Sequence, residues 1–193
     1  MNIIAVLRII KTVRSGHLRH AVLLLIVNLS VALVATVSAQ TVSRRQAFEP
    51  PLADWLGTVI YVVDGDTLYV RPEGGGKPVS VRIDGIDAPE ICQAGGALAQ
   101  QVLRQRVLGQ QVQIQAKALD RYGRLVASVI KGGIDQGAEL VETGQAWAFR
   151  FEVGRGPYAA LQRRAELEEL GLFSAGPHPQ TPAAFRKTHG SCH

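Results

Sequence analysis

From residue 58 onward the chain is organised by runs and alternations of apolar residues, and the period changes along it. Val59 to Val63 is a β-branched and aromatic run, which predicts a strand. The acidic turn Asp64-Gly65-Asp66-Thr67 follows, and Leu68-Tyr69-Val70 opens a second strand. "PEGGGKP" is a Gly- and Pro-rich hairpin loop, and "VSVRI" then alternates apolar and polar residues as a third strand. Beyond it the period lengthens. Ala99, Val102, Leu103 and Val107 share one face of a helix that Gly109 ends. "QVQIQA" alternates cleanly as a fourth strand, "DRYGR" turns the chain, and "LVASVI" is a fifth strand. Ile134, Ala138 and Val141 predict a short helix closed by Gly144. A third helix is expected to start at Pro157, a favourable first position, and to stop before Gly171. The tail from Ser174 has three prolines and no strong period.

Five short strands, with one helix inserted after the third and two after the fifth, predict an α+β fold. The natural candidate is a small five-stranded OB-fold-like β-barrel with about three helices. Periodicity supplies the elements but not the closure of the barrel.

Composition changes this picture at the N-terminus. Arg8, Lys11, Arg14 and Arg19 form a basic leader without an acidic residue, followed by an apolar run from Ala21 to Val37 and the small residues of "VSAQ". That is the layout of a signal peptide spanning 1–39 and cleaved after Ala39. The alternative is an uncleaved anchor, for which a run interrupted by Asn28 and Ser30 is short. The expected domains are then the leader 1–39, a linker and domain entry 40–57, a folded domain 58–173 and a tail 174–193. The whole chain has 21 Lys and Arg against 16 Asp and Glu. Without the leader, 17 basic residues face 16 acidic ones, so a globally basic nucleic-acid binder is excluded and any polyanion site must be local. Export, to the periplasm or the medium, is the expected destination. Two cysteines, Cys92 and Cys192, are expected either to pair in an oxidising compartment or to remain two free thiols. His189, Cys192 and His193 have no spacing that suits zinc.

The candidate chemistry lies in the turns. "IDGIDAPE" places Asp84, Asp87 and Glu90 at three-residue intervals, yet Gly85 and Pro89 argue against a helix there. Taken alone, "VDGDT" is a hairpin turn, and Gly123 of "RYGRL" only supplies a positive φ. In conjunction, "DGDT", "RIDGIDAPE" and "DRYGRL" occur in order, each at the end or start of a predicted strand. Together they resemble the staphylococcal (micrococcal) nuclease family. The resemblance runs from about Thr58 to Phe173 and includes "ELVETGQAW" and a final helix closing in "ELGLF".

The resemblance implies an exported, calcium-dependent nuclease that hydrolyses phosphodiester bonds of DNA and RNA with little sequence preference, leaving 3′-phosphate ends. It implies Asp66, Asp87 and the backbone carbonyl of Ala88 as Ca²⁺ ligands, hard oxygen donors for a hard ion. So few protein ligands suit weak affinity, about 10⁻⁴–10⁻³ M. Asp64 would stand behind them, orienting a water or a turn amide. Glu90 would activate or orient the attacking water. Arg82 and Arg124 would grip the scissile phosphate with planar, permanently charged guanidinium groups. Arg121 and Tyr122 would contact phosphate and stack beside the nucleotide. No stable protein partner is expected. A different class, a non-catalytic nucleic-acid-binding module on the same barrel, would be expected to have lost acids or arginines that this chain keeps. A membrane-tethered surface protein gains weight only if the leader stays uncleaved. The chain also departs from the prototype. Only "ICQAGG" separates Glu90 from the first helix, where the prototype has a long lysine-rich loop. The prototype's late tyrosines have no clear counterparts among Trp147, Phe149 and Phe151, and Trp147 is expected in the core. Asp84 has no assigned chemistry.

Overall fold

The computed structural model describes residues 53–149, 156–175 and 179–192. The leader 1–39, most of the linker and Phe151 lie outside the described residues. The strands are β1 (Trp55–Val62), β2 (Thr67–Pro72), β3 (Val79–Ile83), β4 (Ile86–Asp87), β5 (Gln111–Leu119), β6 (Leu125–Lys131), β7 (Ile134–Asp135) and β8 (Trp147–Ala148). The helices are α1 (Gly96–Val107), α2 (Gln136–Glu142), α3 (Ala159–Leu167) and α4 (Pro182–His189), with a 3₁₀ turn at Gly171–Ala175.

β3, β2, β1, β5 and β6 are neighbours in one antiparallel sheet, and β3 then pairs with β6 in parallel. That last pairing, Val81 opposite Leu125 and Arg82 opposite Val126, closes the sheet into a five-stranded barrel. The closed OB-fold-like α+β architecture is therefore as expected. Alternation does the sorting: Val79, Val81 and Ile83 of β3 are buried while Ser80 and Arg82 are less so. The interior is filled by Val59, Leu68, Val70, Val81, Ile114, Leu125, Val129 and their neighbours. Each apolar side chain of this kind contributes about 1.5–3 kcal/mol when fully buried. α1 closes one end with Ala99, Leu103 and Val107, and α2 adds Leu140 and Val141. Trp147 packs edge-on against Phe173, beside Ala165, and is core as expected.

The boundaries differ in four places. β1 starts at Trp55, because Trp55 to Thr58 also pair with β5. Ile134 is half-exposed in the short strand β7 and is not on the face of α2. Asp135 prevents an earlier helix start: it is the N-cap of α2, accepting from the amides of Gly137 and Ala138. α3 begins at Ala159, leaving Pro157 in the preceding turn. The tail, expected to be irregular, carries the helix α4. Thr181 caps it, Pro182 opens it, and Gly190 ends it at a φ of 75°. No helix among the described residues is long and apolar enough to cross a membrane.

Candidate active site

Two turns meet at the open end of β2 and β3. In the first, Oδ1 of Asp64 accepts hydrogen bonds from the amides of Asp66 (2.9 Å) and Thr67 (2.7 Å). Asp64 thus folds the turn on itself. Gly65 is not in the left-handed region that an Asp-Gly hairpin would use. It is required by close approach: a Cβ there would lie 2.7 Å from the Cβ of Ala88 and 2.8 Å from that of Ala99. The missing side chain lets this turn press against both α1 and the second turn. That contact is sealed by the Ala88 amide, which donates to Oδ2 of Asp66 at 2.8 Å.

The second turn carries Asp87, Ala88 and Glu90. Its geometry comes from β4, where Ile86 and Asp87 pair with Ala148 and Trp147 of β8. Asp66, Asp87 and Glu90 are all nearly buried. Burying carboxylates is costly unless cations reach them, and here two arginines do. Arg82 pairs with Asp66, donates to Oδ1 of Asp87 at 2.9 Å and touches the Ile86 carbonyl at 3.3 Å. Burial pushes the Arg82 guanidinium below its ordinary range, against the pull of Asp87 and Asp64. The second cation is Arg186 of α4. Its Nη1 donates to Oε1 of Glu90 (2.8 Å) and to Oδ1 of Asp87 (3.3 Å), and its Nη2 to Oδ2 of Asp87 (3.0 Å). Burial works against the charge of Arg186, but its hydrogen bonds to Asp87 and Glu90 outweigh that and raise its pKa.

Arg124 joins from the turn between β5 and β6. Its Nη1 lies 3.5 Å from the Thr67 hydroxyl, which donates to Oδ1 of Asp66 at 2.9 Å. A continuous chain therefore runs from Arg124 through Thr67 and Asp66 to Arg82. Asp120 holds Arg124 by its Nε at 2.7 Å and by its backbone amide at 2.9 Å. Burial alone would raise the Asp120 carboxyl, but these bonds and the Tyr122 amide hold it below the ordinary range. Gly123, at φ 77°, lets that turn close. Tyr122 is exposed at the edge of the site, with the Arg121 and Arg124 guanidinium groups 4.8 and 5.4 Å from its ring centre. Asp84 lies apart, in an ion pair with Lys117 at 2.6 Å.

Asp64, Asp66, Arg82, Asp87, Ala88, Glu90 and Arg124 are thus brought together, with Arg121 and Tyr122 at the rim. Thr67, Gln93 and Arg186 were not foreseen. Gln93 accepts from the Glu90 amide (3.2 Å) and donates to the Gln180 carbonyl (2.6 Å), so it joins the second turn to the tail. Cys92 and Cys192 form a disulfide, with 5.9 Å between their Cα atoms, and so cross-link the same two segments. His189 stacks on Phe185 with ring centres 4.4 Å apart.

Residues 80–175, which carry most of these groups, match the model of the staphylococcal nuclease homologue family. Over 150 residues the chain is 36% identical to a micrococcal nuclease of Shigella flexneri, covering 72% of this chain and 84% of that protein. The chain belongs to the staphylococcal nuclease family. Its other relatives include protein ParB of Escherichia coli, 35% identical over 150 residues (72% of this chain, 82% of that one). An uncharacterised endonuclease of Haemophilus influenzae is 33% identical over 129 residues (67% and 71%).

Nucleases of this family generally depend on a metal ion. The donor chemistry here fits one: Asp66 and Asp87 lie within reach of the same guanidinium and offer hard carboxylate oxygens. Among the described residues no three acidic, His or Cys side chains cluster closely enough to hold an ion. Both carboxylates are engaged by arginines, so an ion entering here meets cations already in place.

Proposed function

We propose that this staphylococcal nuclease family member is an exported nuclease that hydrolyses phosphodiester bonds of DNA and RNA, using Ca²⁺ and leaving 3′-phosphate ends. The observation that carries the reading is the linked set Arg124–Thr67–Asp66–Arg82–Asp87, with Glu90 beside it. Two guanidinium groups and a buried carboxylate in one linked cluster suit a phosphodiester and a water better than they suit a neutral ligand.

Asp66, Asp87 and the carbonyl of Ala88 would hold the calcium ion. When bound, the ion supplies positive charge to the phosphoryl oxygens and helps to orient the substrate. Arg82 and Arg124 bind the non-bridging oxygens and stabilise the charge that builds up on them in the transition state. Glu90 orients the attacking water and takes its proton as the new P–O bond forms. The P–O5′ bond breaks in line, and the departing oxygen is protonated from solvent. Tyr122, exposed beside Arg121 and Arg124, offers its ring to a base, while Arg121 adds a phosphate contact. Phosphate contacts carry no base information, so sequence preference is low.

Export is supported by the basic and apolar leader and by the disulfide, which persists in oxidising compartments. The deciding experiment incubates the purified protein with plasmid and single-stranded DNA, in millimolar calcium and in EGTA. Cutting in calcium alone is expected. Cutting that survives EGTA overturns the metal assignment, and no cutting in calcium overturns the enzymatic reading.

A further inference from the structure

The tail is fastened to the catalytic turn at three points. The disulfide joins Cys192 to Cys92, two residues beyond Glu90. Gln93 spans the Glu90 amide and the Gln180 carbonyl. Arg186, on α4 between these two ties, sets its guanidinium on both oxygens of Asp87 and on Oε1 of Glu90. These are the oxygens that the proposed reaction assigns to calcium and to the attacking water. We propose that Arg186 is a further residue of the active site, a built-in cation that competes with the divalent ion for Asp87 and exchanges with it during the reaction cycle.

The argument rests on charge and on access. Asp87 already carries two guanidinium groups, and a divalent ion on the same carboxylate would add a third cation at close range in a site so poorly exposed to water. One of the two arginines must yield. Arg82 is the poorer candidate, because it is rooted in a barrel strand, pairs with Asp66 as well and is held by the Ile86 carbonyl. Arg186 leaves more easily: its side chain is 37% exposed, against 19% for Arg82. It sits on a surface helix and can swing away without opening the barrel. Until then it neutralises Asp87 and Glu90, which would otherwise repel one another in the ion-free protein. Two attachments flanking α4 keep the arginine at high local concentration over the site, so that it returns readily after each departure.

The inference rests on the proposed role of Asp87 in holding calcium, and the test separates the two. Calcium chloride is titrated into the purified protein and binding is followed by calorimetry. In parallel, the ¹⁵N-detected side-chain signal of Arg186 and the amide signal of Ala88 are followed by NMR. Arg186→Gln is expected to bind calcium about 5- to 150-fold more tightly, the range of a typical coupling between two binding events. Arg186→Lys, which keeps the charge but loses the two-pronged grip, is expected to fall between. In the native protein the Arg186 signal is expected to shift in step with calcium uptake at Ala88. Equal or weaker binding by Arg186→Gln, or an Arg186 signal indifferent to calcium, overturns the proposal. Asp87→Asn that binds calcium as well as the native protein overturns instead the metal assignment on which it rests.

Discussion

Glu90 and Arg124 can be tested at the level of the single side chain, because neither holds the barrel together. Glu90→Gln keeps the shape and an acceptor for Arg186 but removes the ability to take a proton. Turnover on plasmid DNA is expected to drop about 10²–10⁴-fold, with an unchanged circular dichroism spectrum. Arg124→Ala should lower kcat/KM by a comparable factor through lost stabilisation of phosphate charge. Near-native turnover by either variant would remove that residue from the reaction. Arg82 differs, because it compensates two nearly buried carboxylates, Asp66 and Asp87. Arg82→Ala is therefore expected to lose about 3–5 kcal/mol of stability along with its activity, read as a lower urea midpoint. Arg82→Lys is the cleaner probe: it keeps the charge and loses the two-point grip, so activity should fall more than stability does. The identities of these residues were legible in the sequence because three ordered motifs carried them. Their ion pairing was not. Nothing in "VRID" or "DGDT" shows that Arg82 faces Asp66, which follows only from Thr67 lying opposite Arg82 across β2 and β3.

Among elements, the turn between β5 and β6 has a pH-dependent support that can be isolated. Asp120 holds Arg124 and two turn amides, and its carboxyl lies below the ordinary range. A carboxyl depressed in the folded state adds stability that is complete above its unfolded value, about pH 4, and is lost as the pH falls through the folded value. The native protein should melt higher than Asp120→Asn at pH 5. That gap should close as the pH falls below about 4; a gap independent of pH would show that the charge of Asp120 contributes nothing. The five barrel strands and three helices were readable because each has a sustained period. The fourth helix was not seen, although its ends carry clear signals: Thr181 and Pro182 at the start and Gly190 at the stop. What concealed it is its interior. A single buried residue, Pro182, leaves no apolar stripe to detect. α4 is held by a disulfide, a glutamine and an arginine, contacts for which periodicity has no signature.

For the whole molecule, the disulfide and the barrel seam matter most. Cys92 and Cys192 are separated by 100 residues, for which the chain-entropy model gives about 4–5 kcal/mol less any strain. Reduction with a strong thiol should lower the melting temperature, and the denatured, unreduced protein should show no free thiol. Two free thiols would remove the cross-link. Sequence suggested pairing and left free thiols open, since no spacing reveals a spatial distance. The closure of the barrel was equally hidden, because it depends on one parallel pairing between strands far apart in the chain. That seam has a kinetic consequence. Hairpins β1–β2, β2–β3 and β5–β6 are local and inexpensive in chain entropy, whereas β1 meets β5 and β3 meets β6 only after the long segment containing α1 has been looped back. Arg82 sits on that seam opposite Val126, and Arg124 immediately precedes β6. The two arginines therefore face one phosphate only once these long-range pairings have formed. During refolding, far-UV circular dichroism should recover ahead of nuclease activity, and activity should return together with the burial of Val81 and Leu125. A chain caught before that moment would have most of its strands and no grip on nucleic acid.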